Sequence, residues 1–315
     1  MRLKALGHSG LRVSAVGLGC MNFGMMCDED ATRAIVAAAL DCGINFFDVA
    51  DMYGGPHGEA ETLLGRALGA RRREVILATK FGGQRDRRNP AAPGGGSPAY
   101  IARAVEDSLR RLGTDYIDLY QHHFPDADTP VEETLRALDD LITQGKVRHI
   151  GCSNYSAEQL KAAAGAARSS RTHSFVSAQN RYSLLCRDIE RDLVPTAQGQ
   201  QVGILPYFPL ESGLLSGKYR SGEKPPADTR FGKWGGGSAF TSAQRWATVG
   251  ELQAYGGKIG RSLLEIAIGW LAAQPFVSSV IAGVTRPEQV HANVQAAAWE
   301  PGAEELARID ALTAA

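Results

Sequence analysis

The sequence predicts an α/β protein, a (β/α)8 TIM barrel with an N-terminal β-hairpin and long loops at the C-terminal face. Three observations carry this. Short apolar runs alternate with segments of helical periodicity from residue 15 onward. The alternation recurs eight times, which suits a closed parallel barrel better than an open sheet. The polar, glycine-rich insertions follow strands, where a barrel keeps its functional loops.

The elements follow in order. Residues 2–13 hold two extended runs about His8-Ser9-Gly10, a hairpin signal. Residues 15–19 read as the first barrel strand. Residues 30–42 then place Ile35, Ala38, Ala39 and Cys42 on one helical face, with Gly43 as the stop. Strand 45–48 precedes helix 59–68, strand 75–80 precedes helix 100–112, and strand 117–122 precedes helix 131–144. Strand 147–152 leads to helix 157–168, strand 175–179 to helix 187–198, strand 202–207 to helix 262–274, and strand 278–281 to helix 287–298. Such units imply parallel strands joined by right-handed crossovers.

Three segments exceed the minimal unit: 82–97, 210–240 with its Gly235-Gly236-Gly237, and 241–255, read as an extra helix. Loops of this length in a compact domain are usually functional or disordered, so all three are expected at the substrate mouth. No linker divides the chain, and residues 1–315 read as one domain.

Composition narrows the class. The chain is 44% apolar and 22% charged, which excludes disordered, collagenous and coiled-coil chains. Thirty-four basic residues balance 34 acidic ones, with no basic stripe, so no nucleic-acid partner is expected. The run Arg71-Arg72-Arg73 reads as a solvated helix end. No stretch reaches the roughly 18–20 apolar residues that span a bilayer, so no membrane partner is expected. Arg2, Lys4, His8 and Arg12 lack an apolar stretch beside them, which argues against a secretory leader. Five cysteines (Cys20, Cys27, Cys42, Cys152 and Cys186) without a C-x-x-C read as free thiols of a reducing, cytoplasmic compartment. Oligomeric state has no signature in the sequence.

The barrel rule directs attention to strand C-termini. There stand Asp48, Lys80, Gln121-His122-His123, Cys152-Ser153-Asn154 and Gln179-Asn180, with Tyr53 just beyond Asp48. Taken singly, a Tyr after a strand is ordinarily a packed aromatic and a Lys ordinarily a surface charge. Together on one face, Asp48, Tyr53, Lys80 and His123 build a tuned tyrosine acid. A phenol's ordinary pKa is about 10. The Lys80 ammonium is expected to lower that of Tyr53, with Asp48 holding Lys80 charged and in place. Tyr53 then donates a proton to a substrate oxygen as hydride arrives at carbon, and accepts it in reverse. His123 orients the carbonyl oxygen. Adjacent strand residues diverge, so His122, His123 and Asp126 make a poor metal site, and no metal is expected.

At this point the chain resembles the aldo-keto reductase family over essentially its whole length. The matching stretches are GINFFDVADMYG (43–54), GEAETLLGRAL (58–68), VILATKFG (75–82) and SLRRLGTDYIDLYQHHFPD (108–126). They continue with TLRALDDLITQGKVRHIGCSNYS (134–156), SAQNRYSLL (177–185), YFPLESGLLSGKY (207–219) and VIAGVTRPEQVHAN (280–293). The resemblance implies the catalytic set Asp48, Tyr53, Lys80 and His123. The family motif sets its His five residues past Asp118, which selects His123 and leaves His122 as a packed neighbour.

The resemblance also implies NADPH/NADP+, bound without a G-x-G-x-x-G motif. Ser153, Asn154 and Gln179 match the residues that hold the carboxamide, which needs both donors and acceptors. Tyr207 matches the aromatic that stacks on the nicotinamide, and Cys20, Met21 and Asp48 lie beside the cofactor. Phe208, Pro209, Leu210, Ser212, Gly213, Leu215 and Lys218 fall in the pyrophosphate loop, where Gly213 and Gly217 allow close approach and Lys218 adds charge. Gly283, Thr285, Arg286, Gln289 and Asn293 match the adenosine end, with Arg286 on the 2′-phosphate.

The implied activity is NADPH-dependent reduction of an aldehyde or ketone, with a small-molecule carbonyl substrate. A second expectation is a redox- or nucleotide-sensing subunit of a larger assembly, as the potassium-channel β subunits are. Two departures stand out. Phe208 replaces a frequent Ser, and Cys20-Met21-Asn22-Phe23 lacks the Trp of the aldose-reductase-like branch. Candidate pocket walls are Met21, Phe23, Met52, Phe124 and Trp234.

Overall fold

The computed structural model describes residues 1–83, 95–227, 229–233 and 241–314. The N-terminal hairpin pairs β1 (Leu3–Ala5) antiparallel with β2 (Arg12–Ser14). Eight parallel strands follow: β3 (Val16–Gly19), β4 (Phe46–Asp48), β5 (Ile76–Phe81), β6 (Ile117–His122), β7 (Val147–Ser153), β8 (Ser177–Arg181), β9 (Gly203–Tyr207) and β10 (Val280–Gly283). They pair in the order β10-β3-β4-β5-β6-β7-β8-β9. The seam is bonded just before β10. Ile204 pairs with Val277, the Ile204 amide donates to the Phe276 carbonyl at 2.9 Å, and the Ser278 amide donates to the Ile204 carbonyl at 2.9 Å.

The helices are α1 (Glu29–Asp41), α2 (Glu59–Leu68), α3 (Pro98–Leu112), α4 (Val131–Thr143), α5 (Ala157–Ser170), α6 (Ile189–Gly199), α7 (Arg230–Lys233), α8 (Ala243–Ile259), α9 (Leu263–Ala273), α10 (Pro287–Ala296) and α11 (Ala303–Thr313). Local chemistry starts and stops them. Asp28 caps α1 by accepting from the Ala31 amide, and Ser156 and Ser262 form capping boxes with Gln159 and Glu265. α3 buries Ile101, Ala104, Val105, Leu109 and Leu112 at helical spacing and ends at left-handed Gly113.

The strand period of two sorts the barrel interior. Phe46, Ala78, Leu119, Leu205 and Ile281 form one apolar cluster, closed below by Leu6 and Val13 of the hairpin. Fully burying each large side chain there contributes roughly 1.5–3 kcal/mol. Two residues further along each strand stand Asp48, Lys80, Gln121, Tyr207 and Gly283. The same alternation that fills the barrel therefore lifts a polar layer to its mouth.

One expectation needs correction, and two features were not foreseen. Arg71 and Arg73 are exposed, as a solvated helix end should be, but Arg72 is not. All three lie in a 3-10 helix, Gly69–Glu74, and Arg72 is buried. Its guanidinium donates to Asp118 Oδ2 at 2.8 Å and to the Tyr116 carbonyl at 2.9 Å, because Asp118 is itself buried and needs a cation. Helix α11 has no counterpart in the sequence reading. Its Ile309 joins the cluster of Trp270 and Trp299, and Asp310 accepts from the Trp270 indole at 3.0 Å. The segment 210–240, read as a long insertion, holds a 3-10 helix, Glu211–Ser216, and α7. Residues 84–94, Trp234 and Gly235-Gly236-Gly237 lie outside the described residues. Among the described residues, no helix is long and apolar enough to cross a membrane. All five cysteines carry free thiols.

Candidate active site

The polar layer at the mouth is organised by one carboxylate. Asp48 ends β4, and its Oδ1 accepts from Lys80 Nζ at 2.6 Å. Its Oδ2 accepts from Gln179 Nε2 at 2.8 Å and from Gln121 Nε2 at 3.1 Å. Lys80 is fully buried and also donates to the Val49 carbonyl at 3.0 Å. Burial opposes the ammonium, but Asp48 and Tyr53 outweigh it, and the Lys80 pKa moves up. The lysine stays charged inside the protein.

Tyr53 stands in the turn after β4, with Lys80 Nζ 5.0 Å from its ring centroid. The next residue must be glycine. Gly54 has φ +111°, and a Cβ there would meet Glu59 Cβ at 2.6 Å and the Ala60 nitrogen at 2.9 Å. His123 meets the Tyr53 ring edge-on at 5.9 Å. Burial, then Lys80 and His122, press its pKa down to about 2, so the imidazole is neutral. His122 turns the other way, stacking on Phe81 at 5.0 Å and meeting the Tyr155 hydroxyl at 2.8 Å. The pair diverges as adjacent strand residues should.

The electrostatics reverse one expectation. The pKa of Tyr53 is raised, not lowered. Burial raises it, Lys80 pulls it down, and Asp48 offsets part of that pull. Tyr53 therefore keeps its proton at neutral pH, the state from which an acid donates.

Around this centre the other expected residues take definite places. Ser153 Oγ donates to the Gln179 carbonyl at 2.8 Å. Asn154, at φ +60°, donates from Nδ2 to the His123 carbonyl at 3.0 Å and accepts at Oδ1 from the Tyr207 hydroxyl at 2.7 Å. Tyr207 is partly exposed at the end of β9, with Phe208 edge-on at 5.4 Å. Cys20 is fully buried and Met21 partly buried. Of the pocket candidates, Phe124 is exposed and stacks on His123 at 4.7 Å, and Met52 is partly buried beside it. Phe23 is fully buried in the cluster of Leu18, Ile35 and Leu64, so it has no open face to line a pocket.

The segment after β9 is strained. Phe208, Glu211 and Ser212 have φ of +51°, +46° and +57°, which costs L-residues about 1–2 kcal/mol each. Pro209 and Leu215 are buried, and Leu210 packs partly against the same core as Leu215. Gly213, at φ +97°, leaves room for Lys218: a Cβ there would meet Lys218 Cε at 2.6 Å and Nζ at 2.8 Å. At the far end, Arg286 is exposed and N-caps α10. Gln289 Oε1 accepts from the Thr285 amide at 2.7 Å, Asn293 is buried, and Gly283 is exposed. A cation folded over a glycine-opened loop, and an arginine at the positive end of a ten-residue helix, suit a phosphate-bearing dinucleotide.

Two neighbours of the site were given no role in the sequence reading. Gln121 is fully buried and faces Asp48; its register opposite Lys80 on the inward face was the available signal. Arg230 of α7 donates to Asn22 Oδ1 at 3.1 Å and lies 5.7 Å from the Phe208 ring, electrostatically coupled to Tyr53. It opens a four-residue helix in the insertion after β9, with no motif to mark it.

Comparison with known proteins agrees with this geometry. The sequence profile of the Aldo/keto reductase family matches residues 15–314. A probable voltage-gated potassium channel subunit beta of Oryza sativa subsp. japonica is 37% identical, covering 94% of this chain and 91% of its own length. The L-glyceraldehyde 3-phosphate reductase of Escherichia coli (strain K12) is 34% identical over 94% of this chain and 87% of its own. The uncharacterized oxidoreductase YrpG of Bacillus subtilis (strain 168) is 36% identical over 94% of this chain and 91% of its own. A barrel with this mouth, matched over nearly its whole length by one family profile, belongs to the aldo/keto reductase family.

Proposed function

We propose that the protein is an NADPH-dependent reductase of aldehydes or ketones, with Tyr53 as proton donor. The observation that carries this is the buried Lys80–Asp48 pair, 2.6 Å apart, set beneath a tyrosine that keeps its proton. Asp48 holds Lys80, Lys80 stands by the phenol, and neutral His123 orients the carbonyl oxygen. The ammonium stabilises the phenolate left after donation, so the acid can give up its proton despite a raised pKa.

The nicotinamide cofactor, when bound, supplies hydride to the carbonyl carbon. Tyr207, Ser153, Asn154 and Gln179 would hold its nicotinamide end, and Lys218 with the 208–213 backbone its pyrophosphate. Arg286 would hold the 2′-phosphate that separates NADPH from NADH. Phe124 and Met52 would border the substrate, while Trp234 lies outside the described residues. The test is oxidation of NADPH by the purified protein across a panel of small aldehydes and ketones. Turnover of some member supports the reading, and failure of all of them with NADPH bound argues against it.

A second reading has one finding in its favour: a close relative bears the name of a potassium-channel β subunit. In that reading the same site reports nucleotide redox state to a partner. Slow release of NADP+ after a single turnover favours the sensor, and fast release the metabolic reductase.

A further inference from the structure

Glu211 lies in the middle of the strained segment, yet it is fully buried. Its carboxylate accepts from Arg181 Nε at 3.1 Å and also from Arg181 Nη2. It accepts from Arg245 Nη1 at 2.9 Å and from the Ser183 hydroxyl at 3.0 Å. Arg181 ends β8, Ser183 belongs to the turn beyond it, and Arg245 lies in the first turn of α8. The other arm of Arg245 donates to the Leu185 carbonyl at 3.0 Å. One carboxylate thus ties two separate segments, the end of β8 with its following turn and the start of α8, to the loop that follows Tyr207, and none of its partners belongs to the reacting constellation.

Non-glycine residues stay at left-handed φ only where their surroundings over-determine them. Phe208, Glu211 and Ser212 all do so within five residues of one another, and the doubly charged clamp on Glu211 is what opposes their relaxation. Relaxing them would displace Gly213, and with it the room in which Lys218 folds over the loop.

We propose that Glu211 is a positioning residue that latches the 208–213 segment and thereby sets how long the cofactor stays bound. This rests on the reading of that segment as the pyrophosphate loop. Loss of the latch acts on cofactor release, since most affinity changes at one interface appear in the off-rate.

The experiment measures NADPH release by stopped-flow fluorescence in the parent protein, Glu211→Gln and Arg245→Gln. Affinity for adenosine 2′-monophosphate, which reaches only the adenosine end, is measured alongside. Release about tenfold faster or more in Glu211→Gln, and several-fold faster in Arg245→Gln, with unchanged adenosine 2′-monophosphate affinity, is the expected result. Arg245 lies partly exposed on α8, so that variant decides the matter if Glu211→Gln does not fold. Unchanged release in the folded variants overturns the latch and leaves the cofactor reading intact. Equal weakening of NADPH and adenosine 2′-monophosphate also overturns it, because general loosening would then be the cause. A parent protein that binds no NADPH overturns the cofactor reading and the latch with it.

Discussion

Among the described residues, two ion pairs with both partners buried, Arg72–Asp118 and Lys80–Asp48, lie at opposite ends of neighbouring strands and differ in what their cation meets. At the N-terminal end, Arg72 and Asp118 lie 2.8 Å apart and are almost wholly enclosed. Asp118 also accepts from the Leu77 amide at 3.0 Å, while Arg72 stacks 4.4 Å from the Tyr116 ring and donates to two carbonyls. At the mouth, Lys80 and Asp48 lie 2.6 Å apart, equally enclosed, but the ammonium stands beside the Tyr53 phenol. The first pair spends its charges on backbone and ring. The second sets its charge at the barrel mouth, where the proposed mechanism needs it. Neither burial nor a neighbouring phenol therefore distinguishes the pairs; what separates them is that Lys80 stands with Tyr53 and His123 at the C-terminal ends of the strands, the face where a barrel keeps its sites.

Breaking each pair separates the two roles. Lys80→Met is expected to lower carbonyl-reduction kcat by about 10²–10⁴-fold, the usual range for a lost acid–base element. Steady-state kinetics with NADPH saturating measures this. Arg72→Met is expected to destabilise the fold by up to about 3–5 kcal/mol, because it leaves the buried Asp118 only the half-exposed Arg148, 3.5 Å away, as a cation. Urea unfolding measures that loss, and kcat of the folded protein should not change. A fall in kcat for Arg72→Met would remove the contrast.

A third buried carboxyl sharpens it. Among the described residues no cation bonds Asp51; the Tyr100 hydroxyl donates to Oδ2 at 3.3 Å and Oδ1 has no hydrogen-bond partner there. Burial, then Glu61, raise its pKa to about 7, with Arg111 opposing. A carboxyl whose folded pKa exceeds its unfolded one binds its proton more tightly when folded. Its contribution to stability is thus full below about pH 4 and is lost as pH rises to about 7. At one pKa unit per 1.36 kcal/mol, the loss amounts to at most about 4 kcal/mol. Asp51→Asn should abolish this slope. The difference between its urea-unfolding profile and that of the parent, from pH 4 to pH 8, isolates it from the opposite slope of His122, whose pKa is pressed down to about 4.

The smallest effect belongs to Gln121. Gln121→Leu removes one of two amide donors to Asp48 Oδ2, at a cost of about 1–3 kcal/mol in stability. Asp48 raises the Tyr53 pKa, so a carboxylate with one donor fewer should move the alkaline limb of the reduction profile upward. A pH–rate profile with an unmoved limb would leave Gln121 a packing residue only.

How much of this was legible in the sequence follows from where the information lies. The alternation of strand and helix, and the inward register that brings Asp48 and Lys80 to one rim, are local and periodic, so they could be read. Arg72 could not: its burial is decided by Asp118, forty-six positions away, and a run of three arginines looks solvated until that partner is in place. Helix α11 lacked a strand before it to fit the repeat, although Leu306, Ile309 and Leu312 keep helical spacing. The sign of the Tyr53 shift was also beyond sequence, because it depends on the depth of burial as well as on the neighbour. Arg230 and Glu211 lie in short helical turns of the insertion after β9, and the partners of Glu211 come from β8 and α8, so no single element's period brings them together.

The most direct test of the central claim compares the parent protein with Tyr53→Phe, using NADPH and the best carbonyl of the panel. Phenylalanine removes the proton and keeps the ring. The account predicts that NADPH affinity is retained while kcat for carbonyl reduction falls about 10²–10⁴-fold. Undiminished turnover by Tyr53→Phe would contradict it.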